Sequence, residues 1–328
     1  MKKLSWSILF LIISIPFLTV SCDDEEDDFT PSSEETIYEV IQADERFDSL
    51  LVAIEATGLE NALPDLEVAL RESGTYTLFA PTNEAFQSFL NANSFASFNE
   101  AIDALGKEGL KKILLYHLLG DEVMAADVSA GYTNTLAELV EGEGDYLDMR
   151  ITTDNGVMID KKATVIETDI NALNGVIHVI DNVISPRNIV EVAQGNDDFT
   201  SLVGALGQAN SAGSQGDLIP VLSADSSLLT VFAPTDDAFA QIQSTVDGLT
   251  DEELAEVLLH HVVSGNVSSD ELSSGTVTTL NGDVQVTVTD NGVSIESETG
   301  NTTNVVLTDI QTTSGVIHVI DAVLVPQL

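Results

Sequence analysis

TLFAPTNEAF at residues 77–86 returns as TVFAPTDDAF at 230–239, and TDINALNGVIHVID at 168–181 returns as TDIQTTSGVIHVID at 308–321. The GVIHVI cores carry a β-branched aliphatic residue at nearly every position, which is the pattern of a strand covered on both faces. In FAPT, proline ends an apolar run and threonine is a favoured residue for opening a helix, so Pro81 with Thr82 and Pro234 with Thr235 predict a strand-to-helix junction. Both quoted stretches thus predict strands and helices in one packed unit, present twice.

Working outward, three further blocks recur in the same order. TIYEVIQ at 36–42 faces NIVEVAQ at 188–194, ILLYHLL at 113–119 faces VLLHHVV at 257–263, and TDNGV at 153–157 faces TDNGV at 289–293. The offset between copies drifts from 136 to 153 residues, so the repeat is domain-sized and far longer than a solenoid repeat. The boundary falls at Ser185-Pro186-Arg187, giving units at 36–187 and 188–328 joined by a linker short enough to restrict the angle between them.

Within a unit the apolar spacing predicts two short helices over Thr36–Thr57, a strand at Thr77–Ala80, and a helix over Gly106–Leu119 with Leu110, Ile113, Leu114 and His117 on one side. Strand patterns dominate afterwards. The Asn155-Gly156 and Asn291-Gly292 pairs each predict a tight hairpin whose two residues supply positive backbone angles. Helices first and strands later argue for an α+β class.

FAPT with its acidic helix start, the leucine-rich helix ending in Tyr116-His117, and the terminal GVIHVID strand together resemble the fasciclin domain. The resemblance covers nearly all of 36–328, and it implies two tandem fasciclin-like domains, each a β-wedge or sandwich packed with several helices. It further implies a secreted or membrane-anchored adhesion protein without general catalytic activity. In some animal members the Tyr-His region is associated with integrin binding; here it corresponds to Tyr116 and His117, with His260 and His261 in the second copy.

The first 21 residues pair Lys2 and Lys3 with an apolar run from Leu4 to Leu18 and small residues after it, which is the grammar of a signal peptide. Cys22, the single cysteine, follows Val20-Ser21 as in a bacterial lipobox and is expected to carry lipid, anchoring the chain to a membrane. Residues 22–35 then form a tether in which Asp23 to Asp28 are all acidic and cannot pack. Such a run resembles the export signal of Bacteroidetes lipoproteins, which predicts an outer-membrane lipoprotein exposed on the cell surface.

A formal charge of −43, from 54 acidic against 11 basic residues, excludes nucleic acid as a partner. No Lys or Arg follows Arg187. Weak bridging by divalent cations is expected of so acidic a surface, but no loop has the oxygen-ligand spacing of a calcium site, and no metal or cofactor is predicted. With 44% hydrophobic residues the chain has ample material for a core.

All five histidines, His117, His178, His260, His261 and His318, lie in the repeated blocks. His178 and His318 stand inside apolar strands and are expected to satisfy a buried carbonyl or hydroxyl. His117 and His261 receive the same assignment, whereas His260, standing where the first copy has tyrosine, is expected to face solvent. Serine-nucleophile, phosphate-loop and zinc-protease motifs are absent, and Cys22 is committed to the anchor. Acidic pairs such as Asp197-Asp198 and Asp236-Asp237 carry little information in this chain, so a two-carboxylate hydrolase is the third-ranked reading. The leading one is a non-enzymatic adhesion or interaction module that binds a surface protein, matrix or polysaccharide component. The alternative is a nutrient- or glycan-binding accessory of the outer membrane, disfavoured by an aromatic content of 5%.

Overall fold

GVIHVI becomes an interior strand of each copy, and the computed structural model, which describes residues 34–57, 75–211 and 218–328, shows what surrounds it. The expected leader, Cys22 and the acidic run lie outside the described residues. In the first copy the strands are β1 (Tyr76–Pro81), β2 (Leu118–Leu119), β3 (Gly131–Glu138), β4 (Tyr146–Thr152), β5 (Met158–Ile159), β6 (Ala163–Ala172) and β7 (Gly175–Ile180). They form one sheet in the order β2-β1-β7-β6-β5-β4-β3. The second copy repeats this with β8 (Leu229–Pro234), β9 (Val262–Ser264), β10 (Gly275–Thr278), β11 (Asp283–Thr289), β12 (Gly292–Glu296), β13 (Thr302–Thr312) and β14 (Gly315–Ile320). Its order, β9-β8-β14-β13-β12-β11-β10, is the same topology.

The FAPT strand and the GVIHVI strand pair in parallel, with Phe79 opposite His178 and Phe232 opposite His318. Every residue of β7 and of β14 is buried. The strand period of two sends Ile177 and Val179 to the helix-covered face, where they pack with Phe47, Phe86 and Leu114, and sends Ile180 to the opposite face with Phe79, Leu147 and Met149. Each such aliphatic side chain contributes roughly 1.5–3 kcal/mol by leaving water, which explains why the run admits no exposed polar residue.

The junctions follow the local chemistry. Thr82 and Thr235 cap the helices Asn83–Ala92 and Asp236–Gln241 by accepting the N–H of Ala85 and Ala238. The first helices of the copies, Ile37–Ala43 and Ile189–Gln194, both open with a reciprocal capping box, Thr36 with Glu39 and Asn188 with Glu191. Their first N–H groups are also taken up from the sheet: Ile37 donates to Asn174 Oδ1 at 2.8 Å and Ile189 to Ser314 Oγ at 3.0 Å. The helix thereby seats on the turn that leads into β7 or β14.

Two sequence expectations change. The helix predicted over Gly106–Leu119 runs instead from Phe98 to Tyr116, opened by Ser97 and broken at Gly106, where φ is +70°. Leu118–Leu119 leave it as β2, because His117 closes the helix and the apolar pair completes the sheet beside Thr77 and Leu78. The Asn-Gly hairpins form, but only Gly156 and Gly292 take positive φ, at +92° and +123°. In the second hairpin Thr289 pairs with Gly292, so Asp290-Asn291 is the loop and the glycine already belongs to the strand.

Candidate interaction site

The Tyr-His block sits beneath the surface. Tyr116, His117, His260 and His261 are at most 3% exposed, so none of the four side chains is available to a partner in this fold. His260, expected to face solvent, is buried completely: its Nδ1–H donates to Asn281 O at 2.5 Å, and among the described residues Nε2 has no hydrogen-bond partner. The ring stands at the repeat position of Tyr116 and is as deeply buried as that side chain.

The other histidines act as backbone staples. His117 donates from Nδ1 to Ile113 O at 2.7 Å and accepts the Ile184 N–H at Nε2, 3.2 Å away. His261 does the same with Val257 O at 2.7 Å and Leu324 N at 2.9 Å. His178 accepts the Asp169 N–H at Nδ1 and donates from Nε2 to Val123 O, and His318 repeats this with Asp309 and Val267. The pairings stabilise the left-handed backbone of Asp169 and Asp309, both at φ +61°, which bulges the strand before the turn. All four rings are satisfied in a neutral tautomer.

Neutrality has a pH consequence. Burial holds His117 and His261 down at about 4, against an ordinary 6.5. Their folded forms bind fewer protons than the unfolded chain between those values, so their stabilisation is complete above pH 6.5 and is lost as pH falls toward 4. Each imidazole then costs on the order of 3 kcal/mol. Asp148 works in the opposite sense, since burial first, and then the nearby Asp309 and Asp160, push its carboxyl up to about 7, so its stabilisation grows as pH falls through 7 toward 3.8. Urea unfolding at pH 7 and pH 4.5 is expected to show a net acid destabilisation in the native chain and a steeper one in Asp148→Asn. An equal or shallower pH dependence in that variant would contradict the assignment.

Asp148 belongs to a polar cluster between the two units. Its Oδ2 accepts the Gln311 N–H at 2.8 Å, across from the first sheet to the second. The Tyr116 hydroxyl lies 2.8 Å from Asp148 O and 2.9 Å from Asp160 Oδ2, and it shares its one proton between them. Arg187, at the unit boundary, turns its guanidinium inward to an ion pair with Asp160, both side chains being at most 1% exposed. Burial opposes the charge of Arg187, but Asp160 and then Tyr116 outweigh it and keep the guanidinium charged; burial pushes Asp160 up while Arg187 pulls it down. A Cβ on Gly195 would stand 2.5 Å from Arg187 Nη1, so glycine there makes room for the arginine. Around this core, Arg150 donates to Gly195 O at 3.2 Å, Thr313 N–H to Arg187 O at 2.9 Å, and Lys161 pairs with Asp197 at 2.5 Å. The short linker is therefore part of a hydrogen-bonded junction, and the first copy supplies the cations that the second lacks.

One serine, one carboxylate and one imidazole gather near the bulge of the second copy, and their order differs from that of a nucleophile relay. Ser269 Oγ hydrogen-bonds Asp309 Oδ2, but the His318 Nδ1 beside that carboxylate already holds the Asp309 N–H. The serine thus meets the carboxylate and never the imidazole, the reverse of a nucleophile relay. Among the described residues no group of three or more His, Cys, Asp or Glu side chains converges to hold a metal ion, and no helix is long and apolar enough to cross a membrane.

An open groove of about 330 Å³ lies on the first copy between the helix Phe98–Tyr116 and the ends of β3 and β4. Leu115 and Leu136 floor it, and Tyr146 flanks it at 41% exposure. Lys111 reaches Glu141 at 2.7 Å and Lys112 reaches Leu139 O at 2.9 Å, fastening the β3–β4 connection to the helix. The sequence holds two traces of it: the Lys111-Lys112 pair in a lysine-poor chain, and a stretch from Gly131 to Asn155 that is eight residues longer than Gly275 to Asn291.

Residues 45–186 and 198–326 match the model of the fasciclin domain. The chain is 40% identical over 151 residues to Protein sll1483 of Synechocystis sp., covering 46% of this chain and 73% of that one. It is 36% identical to the transforming growth factor-beta-induced protein ig-h3 of Sus scrofa, over 46% of this chain and 19% of the relative. It is 26% identical to a fasciclin-like arabinogalactan protein of Arthroderma benhamiae, over 81% of this chain and 62% of the relative. Among solved structures, a FAS1 domain pair from the insect cell adhesion molecule fasciclin I aligns with a TM-score of 0.46 and 18% identity, over 84% of this chain and 96% of that one. With both segments matched in tandem and each built on the same seven-stranded sheet, the chain belongs to the fasciclin domain family.

Proposed function

We propose that this protein is a non-enzymatic adhesion or interaction module of the bacterial cell envelope, anchored by lipid on Cys22 and held clear of the membrane by Asp23 to Asp28. Its tandem domains contact a surface protein, a matrix component or a polysaccharide, with weakly held divalent cations screening or bridging the acidic exterior. The carrying observation is where the polar chemistry goes. Four histidines, the Tyr116 hydroxyl and the Arg187–Asp160 pair are spent on backbone staples and on the junction. What remains for function is an acidic outer surface on two copies joined by hydrogen bonds across their boundary, which suits recognition of another surface.

Protease shaving of intact cells tests the presentation. The native chain is expected to be digested, while a variant with Asp23 to Asp28 replaced by Ser and Gly is expected to be protected. Protection of the native chain until lysis would place the domains inside the envelope and defeat the cell-to-cell reading. Beads coated with the native chain should aggregate with, or bind to, cells of the same strain.

A further inference from the structure

The groove on the first copy selects its occupant by three properties. Its floor is apolar and Tyr146 presents a partly exposed ring beside it, a flat face suited to the C–H side of a sugar ring. Its rim sets donors beside acceptors: Lys111 and Lys112 each keep N–H groups beyond those already engaged, and Glu138 and Glu108 bring carboxylate oxygens. A hydroxyl both donates and accepts, so a polyhydroxylated ligand matches such a rim. Finally, with Glu141 the lining carboxylates outnumber the two lysines, and in a chain of −43 this disfavours an anionic ligand. The volume is within the range of small-ligand clefts.

The second copy has no counterpart of these side chains. Aligned on ILLYHLL and VLLHHVV, Ala255 and Glu256 stand at the positions of Lys111 and Lys112, and counting back from the shared TDNGV places Gly282 at the position of Tyr146. We propose that the groove binds a neutral sugar unit of a surface or matrix polysaccharide, stacked on Tyr146 and hydrogen-bonded by Lys111, Lys112 and Glu138, and that the first copy alone carries this site. The second copy then serves to hold and orient the first. This deepens the interaction reading above and rests on it.

The test uses the full chain in mild detergent, screened against neutral glucan, galactan and mannan oligosaccharides, with uronic-acid oligomers as the anionic counterpart, and followed by calorimetric titration. At least one neutral series is expected to bind. Tyr146→Ala should weaken it about tenfold, Tyr146→Phe should keep it within about twofold, and Glu256→Ala in the second copy should leave it unchanged. Tyr146 is exposed at a strand end, so the variant's thermal midpoint should match the native one; Leu136→Glu, which places a charge in the floor, is the second probe and should also weaken binding. The proposal is overturned if no neutral oligosaccharide binds at millimolar concentration, if only uronic acids bind, or if Tyr146→Ala and Leu136→Glu bind as the native chain does. Bead aggregation separates the two claims. Aggregation without sugar binding leaves the adhesion reading and removes this site; sugar binding without aggregation keeps the site and the polysaccharide-binding reading and removes cell-to-cell adhesion.

Discussion

Asp160→Ala is expected to lower the unfolding free energy by roughly 3–5 kcal/mol, the cost of leaving a buried charge without its partner. The charge in question is Arg187, whose side chain is 1% exposed and whose Nε and Nη1 find no hydrogen-bond acceptor among the described residues. Removing Asp160 also takes from Tyr116 one of its two acceptors and from Arg150 the carboxylate that accepts its backbone N–H at 2.9 Å. The loss should appear in urea unfolding and, more tellingly, in the exchange of the Gln311 and Thr313 amides, which cross the junction.

The double variant Asp160→Leu with Arg187→Met should recover most of that loss, because buried ion pairs often yield to apolar packing without net cost. Recovery would show that the pair's worth lies in mutual compensation, with little surplus stability. A single variant costing under about 1 kcal/mol would mean that Arg187 escapes to solvent when unpaired, and the junction would then be a loose contact. The sugar site on the first copy should be indifferent to either outcome, since Tyr146 and the two lysines touch none of these groups.

How much of this was legible in the sequence follows from the kind of signal each feature leaves. The tandem units, the FAPT junctions and the doubly buried strand were legible, because proline, threonine and uninterrupted β-branched runs act locally. For His178 and His318 the sequence pointed only to a buried carbonyl or hydroxyl as partner; that Nδ1 takes the N–H of Asp169 and Asp309 depends on a strand bulge that no local pattern announces. His260 was misplaced: substitution of a tyrosine by a smaller polar ring gives no indication of exposure when the surrounding volume is set by the fold. The junction was invisible for a different reason. Arg187 stands beside proline at a domain boundary, where a charged residue ordinarily faces water, and its partner Asp160 lies in a turn with φ +54° that no local pattern announces. The groove left only its length excess and its lysine pair, and neither signal reveals that Tyr146 and Leu136 converge.

Gly175→Ala and Gly315→Ala are expected to be the most damaging single substitutions in the sheet, each costing on the order of 4 kcal/mol or more and abolishing soluble expression if the margin is small. Two effects combine at these positions. The backbone is left-handed, at φ +145° and +132°, which a side chain tolerates poorly. In addition, a Cβ would stand 1.9 Å from Tyr76 O in the first copy and 1.9 Å from Leu229 O in the second, both backbone atoms of the parallel partner strand. Relief would require β1 to part from β7, and with it the register that places Phe79 against His178. Gly156→Ala isolates the first effect, because its φ is +92° but nothing lies within 4 Å of the added carbon. That control should lose only about 1–2 kcal/mol. If all three variants unfold at the same urea concentration, backbone angle alone governs these glycines. If Gly175→Ala and Gly315→Ala fall well below Gly156→Ala, close approach of the parallel pair is the reason GVIHVI begins with glycine in both copies.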